Sequence, residues 1–318
     1  MAAHVLQPGI LTTLQDLGRT GFRSQGVVCS GAMDDFAHNT ANWLAGNETD
    51  CATLEITMGG LQLLFEQDSH IAVTGYGIQV FINGQPADCW RSLIVSAGSS
   101  LQIQYTGSGC RSYLSVYGGW KTEAVLNSYS TYLPAGWGGY QGRPLKKGDH
   151  LLVNKTTSRN FLKERWSLSP NTIPSYSTQP AVRVITGAEW DLFTNNSQTS
   201  FLRNTHPVLP QSNRMGYRLK CCLQKTSAHE ILSGAVCPGT IQALPDGNMV
   251  LLMRDGPATG GYPRIGQVLE TDLSLVAQLV AGNAIRFTEV SLVQAEEIYL
   301  NYQAQMGKLK THILNRLY

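Results

Sequence analysis

Short apolar runs, each ended by glycine, asparagine or aspartate, recur along most of the chain, and this rhythm constrains the fold more than any other feature. Ile71–Thr74, Gln79–Ile82, Leu101–Tyr105 and Tyr113–Val116 are examples, with Asn83-Gly84 as a compact turn signal between two of them. The chain's 32 glycines suit many tight turns and bulges. Regular short strands with turn punctuation predict a mainly β fold of barrels or sandwiches.

Two segments depart from this rhythm. Asp34–Ala45 carries Phe36, Ala37, Ala41, Trp43 and Leu44 with Gly46 just beyond, which reads as a helix with an acidic start and a glycine stop. Near the end, Ser291 and Gln294 make a capping-box pattern. Val293, Ile298, Tyr299, Tyr302 and Met306 then fall mostly on one helical face.

The clearest break in composition is Thr156–Pro180, rich in serine, proline and asparagine. It divides the chain into an N-terminal domain at 1–160, a linker at 161–180, a C-terminal domain at 181–290, and a helix with tail at 291–318. The halves share landmarks. Val73-Thr74-Gly75, Val80-Phe81 and Asn83 resemble Ile185-Thr186-Gly187, Leu192-Phe193 and Asn195, which favours duplicated barrels, with chance as the alternative.

Composition excludes more than it selects. Charged residues are 14% of the chain, against about 25% in an average soluble domain. A chain so poor in charge tends to bury surface against a partner or to fold into compact β structure. A net charge of +2 gives no argument for nucleic acid. No apolar run reaches the ~18 residues of a membrane span. Gln7, Gln15, Asp16 and Arg19 interrupt the apolar N-terminus, so no signal peptide is expected and a cytoplasmic location is the default. The cysteines at 29, 51, 89, 110, 221, 222 and 237 form no C-x-x-C pair and read as reduced, partly buried thiols.

Three glycine-rich polar segments carry the candidate chemistry: Leu14–Gly21 continuing through Ser30–Asp34, Ser212–Leu219, and Asp255–Ile265. Each sets an arginine beside glycines and a hydroxyl or carboxylate. Glycine admits close backbone approach to a ligand, and the guanidinium offers a planar fork for carboxylate or phosphate. Such loops suit a small anion, or else serve as turns with buried ion pairs. There is no G-x-x-x-x-G-K-[ST] loop, no G-x-S-x-G elbow and no Met-Lys-Met biotinyl site. The seven histidines show no metal-ligand spacing, so no metal site is expected.

These segments, taken in order, also carry a resemblance. Gln15–Arg19, Ser30–Asp34, Ala41-Asn42, Gly46-Asn47, Leu54–Thr57, Arg111–Leu114, Gly118-Gly119, Ser130-Thr131, Gly138-Gly139, Gly142-Arg143 and Gly148-Asp149 are similar to the N-terminal signatures of the biotin-dependent carboxyltransferase family. Glu189–Asp191, Ser212–Leu219, Pro238–Gln242 and Thr259–Ile265 continue the likeness to about residue 290. That family includes the C-type component of 5-oxoprolinase, the antagonist of a sporulation-kinase inhibitor, and the allophanate-hydrolase-subunit-2-like region of urea carboxylase. Departures from its pattern are Asn127, Tyr129, Lys220, Cys221 and Ala258.

The resemblance implies two cyclophilin-like β-barrel domains with a few short helices, and a partner of the B type (KipI-like). The expected activity is ATP-dependent opening of 5-oxoproline to glutamate, with A-type (LamB/YcsF-like) and B-type subunits. ATP, with magnesium, is expected to act through the complex, and the chain alone is expected to be inactive. The alternatives are carboxyl transfer from carboxybiotin on a separate carrier to urea or a small amide, and a non-enzymatic regulatory role. On loop chemistry, Arg214, Arg218 and Arg264 form the expected anion-binding group, joined by Arg19 and Tyr217. Asp255, Tyr262 and Thr259 are the candidate catalytic residues: Asp255 as base or metal-facing carboxylate, or else as ion-pair partner of a nearby arginine.

Overall fold

The computed structural model describes residues 2–154, 166–226 and 231–317. The chain divides into two compact units: Met1–Arg19 with Ser30–Pro174 and Gln305–Tyr318, and Thr20–Cys29 with Ser175–Ala304.

The first unit begins with β1 (Ala2–Pro8) and β2 (Leu11–Gln15), followed by helix α1 (Asp35–Leu44). Then come β3 (Thr53–Thr57), β4 (Leu61–Phe65), β5 (Ser69–Gly75), β6 (Ile78–Ile82), β7 (Gln85–Ala87), β8 (Ser92–Val95), β9 (Ser100–Tyr105), β10 (Arg111–Val116) and β11 (His150–Leu152). They form two sheets, ordered β11-β1-β4-β9-β6-β7 and β2-β3-β10-β5-β8. Apart from the β2–β3 and β6–β7 pairs, consecutive strands pass from one sheet to the other. At Gly77 (φ +72°) an added Cβ would lie 1.4 Å from the Ser108 carbonyl oxygen, so only glycine fits this corner. Asn83 and Gly84, both at positive φ, turn β6 back onto the short β7, the two-residue hairpin that the dipeptide signals.

Alternation along β10 explains how the layers stack. Leu114 and Val116 enter an apolar core with Leu54, Ile56, Leu63, Val73, Val80 and Ile103. Tyr113 and Ser115 point to the other face and bond to α1 and its flanks: Asp34 N–H donates to Tyr113 Oη at 2.8 Å, and Ser115 Oγ donates to Asn42 Oδ1 at 2.7 Å. The strand is therefore buried at every position. Asp34 caps α1 by accepting from Ala37 N–H at 3.0 Å, and Gly46 follows at φ 78°, as the acidic start and glycine stop predict.

The second unit is built from β12 (Ala181–Thr186), α2 (Asn195–Arg203), β13 (Thr205–Pro207), β14 (Gly216–Leu219), β15 (Gly234–Ala235), β16 (Thr240–Ala243), β17 (Met249–Leu252), β18 (Thr259–Gly260), β19 (Arg264–Val268), α3 (Leu273–Ala277) and β20 (Ala284–Glu289). Seven of its strands run in the order β13-β20-β12-β19-β16-β17-β14. The two edges meet: Lys220 N–H donates to Pro207 O at 2.9 Å and Leu209 N–H to Arg218 O at 2.8 Å, which closes the sheet on itself and removes its edges. Phe201 from α2 stacks on Phe287 of β20 at 4.6 Å inside the core.

Both units are β-barrels with small helices against them, in agreement with the expected cyclophilin-like fold. Helix α4 (Leu292–Leu317), with 26 residues, is longer than the short helices expected. Ser291 and Gln294 do form a reciprocal capping box: Ser291 N–H donates to Gln294 Oε1 at 2.9 Å, and Gln294 N–H to Ser291 Oγ at 3.2 Å. The helix buries Met306, Ile313 and Leu317, whereas Val293 and Tyr299 on the predicted apolar face are exposed.

Part of the expected linker, 161–165, lies outside the described residues. Residues 166–174 belong to the first unit, where Leu168 is buried and its N–H donates to Trp90 O at 2.9 Å. The landmarks shared by the halves match only in part. Val73–Gly75 and Ile185-Thr186 both lie on strands, but Val80-Phe81 sits on β6 whereas Leu192 lies in a 3-10 turn and Asn195 opens α2. All seven cysteines are free thiols. Among the described residues, no helix is long and apolar enough to cross a membrane.

Candidate functional site

The second and third glycine loops meet at a buried ion pair. Arg214, ahead of β14, donates from Nε to Asp255 Oδ2 at 2.9 Å and from Nη2 to Oδ1 at 3.0 Å. Backbone bonds reinforce the junction, with Asp255 N–H donating to Arg214 O at 2.9 Å and Met253 N–H to Met215 O at 3.0 Å. Both carboxylate oxygens of Asp255 are thus taken by a guanidinium in a bidentate fork. Of the roles considered for Asp255, the ion pair is the one the geometry shows.

Arg264, at the start of β19, is held differently. Its Nε and Nη2 grip Glu189 Oε2 and Oε1 at 2.8 and 2.5 Å, and its own N–H donates to the same carboxylate at 2.8 Å. Those bonds hold the Glu189 carboxyl below the ordinary glutamate range and push the Arg264 guanidinium up. The Arg264 side chain remains 33% exposed.

Arg264 lines a cavity of about 400 Å³ in the second barrel together with Arg23, Gly187, Cys237, Thr240 and Gln267. Gly187 is needed here, because a Cβ would lie 2.1 Å from the Arg264 carbonyl oxygen. Arg23 enters from the Thr20–Cys29 segment and donates to Val236 O, and at 3.3 Å to Pro257 O. Thr240 Oγ1 donates to Gln267 Oε1 at 2.8 Å, and Gln267 Nε2 donates to Pro238 O at 2.9 Å. The exposed Cys237 thiol lies 3.6 Å from Gln267 Oε1. Two guanidinium groups, a hydroxyl, an amide and a thiol therefore surround one apolar-walled cavity, a lining suited to a small anion with an adjoining polar group.

The remaining sequence-predicted residues fall elsewhere. Arg218 is 41% exposed on its side chain and reaches Asp246 at 3.8 Å, a loose surface pair. Tyr217 is buried, with its hydroxyl donating to Ala277 O at 3.3 Å. Thr259 pairs in the short β15–β18 ribbon, with Ala235 as its partner. Tyr262 is exposed beside a second, smaller cavity with Phe193, Leu223 and Pro263.

Arg19 belongs to the first unit, where it is fully buried and donates to Ser130 O. A Cβ on Gly138 would fall 2.5 Å from its Nη2, so Arg19 braces the glycine loop Gly136–Gly142. That loop lines an open cavity of about 470 Å³ with Lys121, Glu123, Trp137 and Tyr140. Asp16 ties the same wall by accepting from Ser128 Oγ at 2.7 Å and Tyr129 N–H at 2.6 Å.

Sequence reasoning thus singled out Arg264 but missed Glu189, Arg23, Thr240, Cys237 and Gln267 as its company. Glu189 and Thr240 lie inside recognised signatures, Glu189–Asp191 and Pro238–Gln242, and that was the available signal. Arg23 had none.

The chain belongs to the family described as "Carboxyltransferase domain, subdomain A and B", which matches residues 25–289. Among individual proteins, it is 36% identical to the 5-oxoprolinase C subunit of Escherichia coli (strain K12) over 312 residues, covering 98% of each chain. It is also 36% identical to the 5-oxoprolinase C subunit of Haemophilus influenzae, over 91% of this chain and 93% of that protein. The crystal structure of the K. lactis urea amidolyase superposes with a TM-score of 0.89 at 30% identity, over 96% of this chain but 20% of that one.

Proposed function

We propose that the chain is the C-type component of a 5-oxoprolinase, acting with B-type and A-type subunits to open 5-oxoproline to L-glutamate at the expense of ATP. The observation that carries this reading is the end-to-end match to the 5-oxoprolinase C subunits, which covers 98% of the E. coli protein, against 18% of the Lachancea kluyveri urea amidolyase.

A lactam is a poor electrophile. ATP would supply the phosphoryl group for the lactam oxygen, with ADP leaving. One water adds to the activated carbon, the ring C–N bond breaks as the nitrogen takes a proton, and a second water splits the resulting acyl phosphate into carboxylate and phosphate. The part of this chain is positioning and charge stabilisation. Arg264, fixed by Glu189, and Arg23 face the cavity as clamps for the substrate carboxylate or the phosphoryl group. Gln267 and Thr240 offer partners for the ring amide. Arg214 and Asp255 join the two loops without lining the cavity.

Co-expression with the B-type and A-type subunits, followed by 5-oxoproline-dependent ADP release, tests the reading. A stably assembled complex without turnover would sink it. In that complex Arg264→Ala is expected to lower kcat/KM at least 100-fold, about 2.7 kcal/mol of lost transition-state stabilisation, while leaving assembly unchanged.

The carboxyltransferase reading has its own support in the likeness to the K. lactis urea carboxylase, with a TM-score of 0.89. Urea-stimulated decay of carboxybiotin, without 5-oxoproline-dependent ADP release, would decide for it.

A further inference from the structure

The first barrel brings together two histidines and a glutamate that lie far apart in sequence. His4 of β1 and His150 of β11 are directly opposite each other in an antiparallel pair, with ring centroids 4.4 Å apart. Glu66 follows β4, the strand on the other side of β1. Its Oε1 contacts His4 Nε2, and its Oε2 lies 3.3 Å from His150 Nε2. One ligand atom from each residue falls within 4.8 Å of the other two.

Tetrahedral zinc with ligand bonds of about 2.1 Å separates its ligand atoms by about 3.4 Å. The Glu66–His150 edge is already at that separation, the His4–Glu66 contact is shorter and would open, and all three ligand atoms lie within 4.8 Å of one another. All three side chains are free to make it, being 40%, 40% and 44% exposed for His4, Glu66 and His150.

We propose that His4, Glu66 and His150 form a binding site for a borderline divalent cation of the Zn2+, Co2+ or Ni2+ class, which clips the edge strand β11 to β1 and β4. Imidazole nitrogen selects these ions over Ca2+ and Mg2+, which take oxygen ligands. Solvent completes the coordination on the open side. The spacing of the histidines hid the site, because its ligands come from two strands and the end of a third, not from one helix or loop. It runs against the expectation, drawn from that spacing, that no metal site exists. It stands apart from the proposed 5-oxoprolinase activity and survives if that reading fails.

The test uses the full chain without a histidine tag, titrated with Co2+ at pH 7.5 and read by d–d absorption and by thermal midpoint. Near-ultraviolet thiolate charge-transfer bands identify any cobalt taken by cysteines, so that it is counted separately. The wild type should bind one thiolate-free equivalent and melt at a higher temperature with cobalt. His150→Ala and Glu66→Gln should lose both effects while melting like the wild type in chelator. An unchanged equivalent in His150→Ala, or a wild-type midpoint indifferent to cobalt, would overturn the site.

Discussion

At the scale of single residues, the arginines divide by what their carboxylates allow. Arg214 and Asp255 are both nearly inaccessible, at 7% and 4% side-chain exposure, so each charge depends on the other. Arg214→Ala is therefore expected to destabilise the chain by about 3–5 kcal/mol, since it strands a buried carboxylate. Replacing both residues by apolar side chains of similar size, as in Arg214→Met with Asp255→Leu, should recover most of that loss. Urea unfolding of the two variants against wild type checks this; a double variant no more stable than the single one would refute the pairing as the source. The loops were legible in sequence as places where arginine and glycine concentrate. Their partners were not, because Asp255 lies 41 residues from Arg214 and Glu189 lies 75 from Arg264. Composition shows that an arginine is special, and only the fold shows whether it is spent on an ion pair or turned to a cavity.

At the scale of elements, α1 carries a pH dependence of its own. His38 is fully buried on this helix, with Nδ1 2.9 Å from Thr53 Oγ1 and Nε2 3.2 Å from Thr49 O. Burial pushes its pKa down from 6.5 to about 4, against the smaller opposing pull of Asp16. The folded state thus refuses a proton that the unfolded chain accepts. Stability is whole above pH 6.5 and falls as pH drops from 6.5 toward 4. The loss between pH 7 and pH 5 is expected to be about 2 kcal/mol from this group. Glu189, with its pKa held below 4.5, loses its contribution only at lower pH and so does not obscure the window. Chemical unfolding at pH 7 and pH 5 should show a drop in wild type that shrinks by this amount in His38→Gln; equal slopes in the two proteins would exclude His38 as the cause. The helix itself was legible, since Asp34, the apolar spacing and Gly46 declare its ends. The β pattern and the Ser291–Gln294 box were legible for the same local reason. The exposure of Val293 and Tyr299 was not, because periodicity marks an apolar face without saying what covers it.

At the scale of the whole molecule, the sequence break at Thr156–Pro180 is not where either unit becomes self-sufficient. The second unit includes Thr20–Cys29, whose Arg23 donates to Val236 and Pro257 and lines the arginine cavity. The first unit takes back Gln305–Tyr318, where Lys310 meets Glu48 at 2.8 Å and Met306, Ile313 and Leu317 are buried. A composition shift registers where regular structure stops, but an exchange of segments leaves no compositional trace. A two-domain chain joined by a simple linker should survive being cut there; this one should not. Burial of three such apolar side chains is worth roughly 5 kcal/mol or more, comparable with the whole stability of a domain. Met1–Pro174 expressed alone forfeits that burial, and Ser175–Tyr318 expressed alone loses Arg23 from its cavity while exposing its apolar helix end. Each fragment alone is therefore expected to be poorly soluble or to melt without cooperativity. Co-expressed, the two should associate and recover a cooperative melt, because the exchanged segments then find their own barrels. Separate fragments that each unfold cooperatively, with midpoints near that of the intact chain, would mean that the exchanged segments contribute little and that the break at Thr156–Pro180 is an ordinary linker after all.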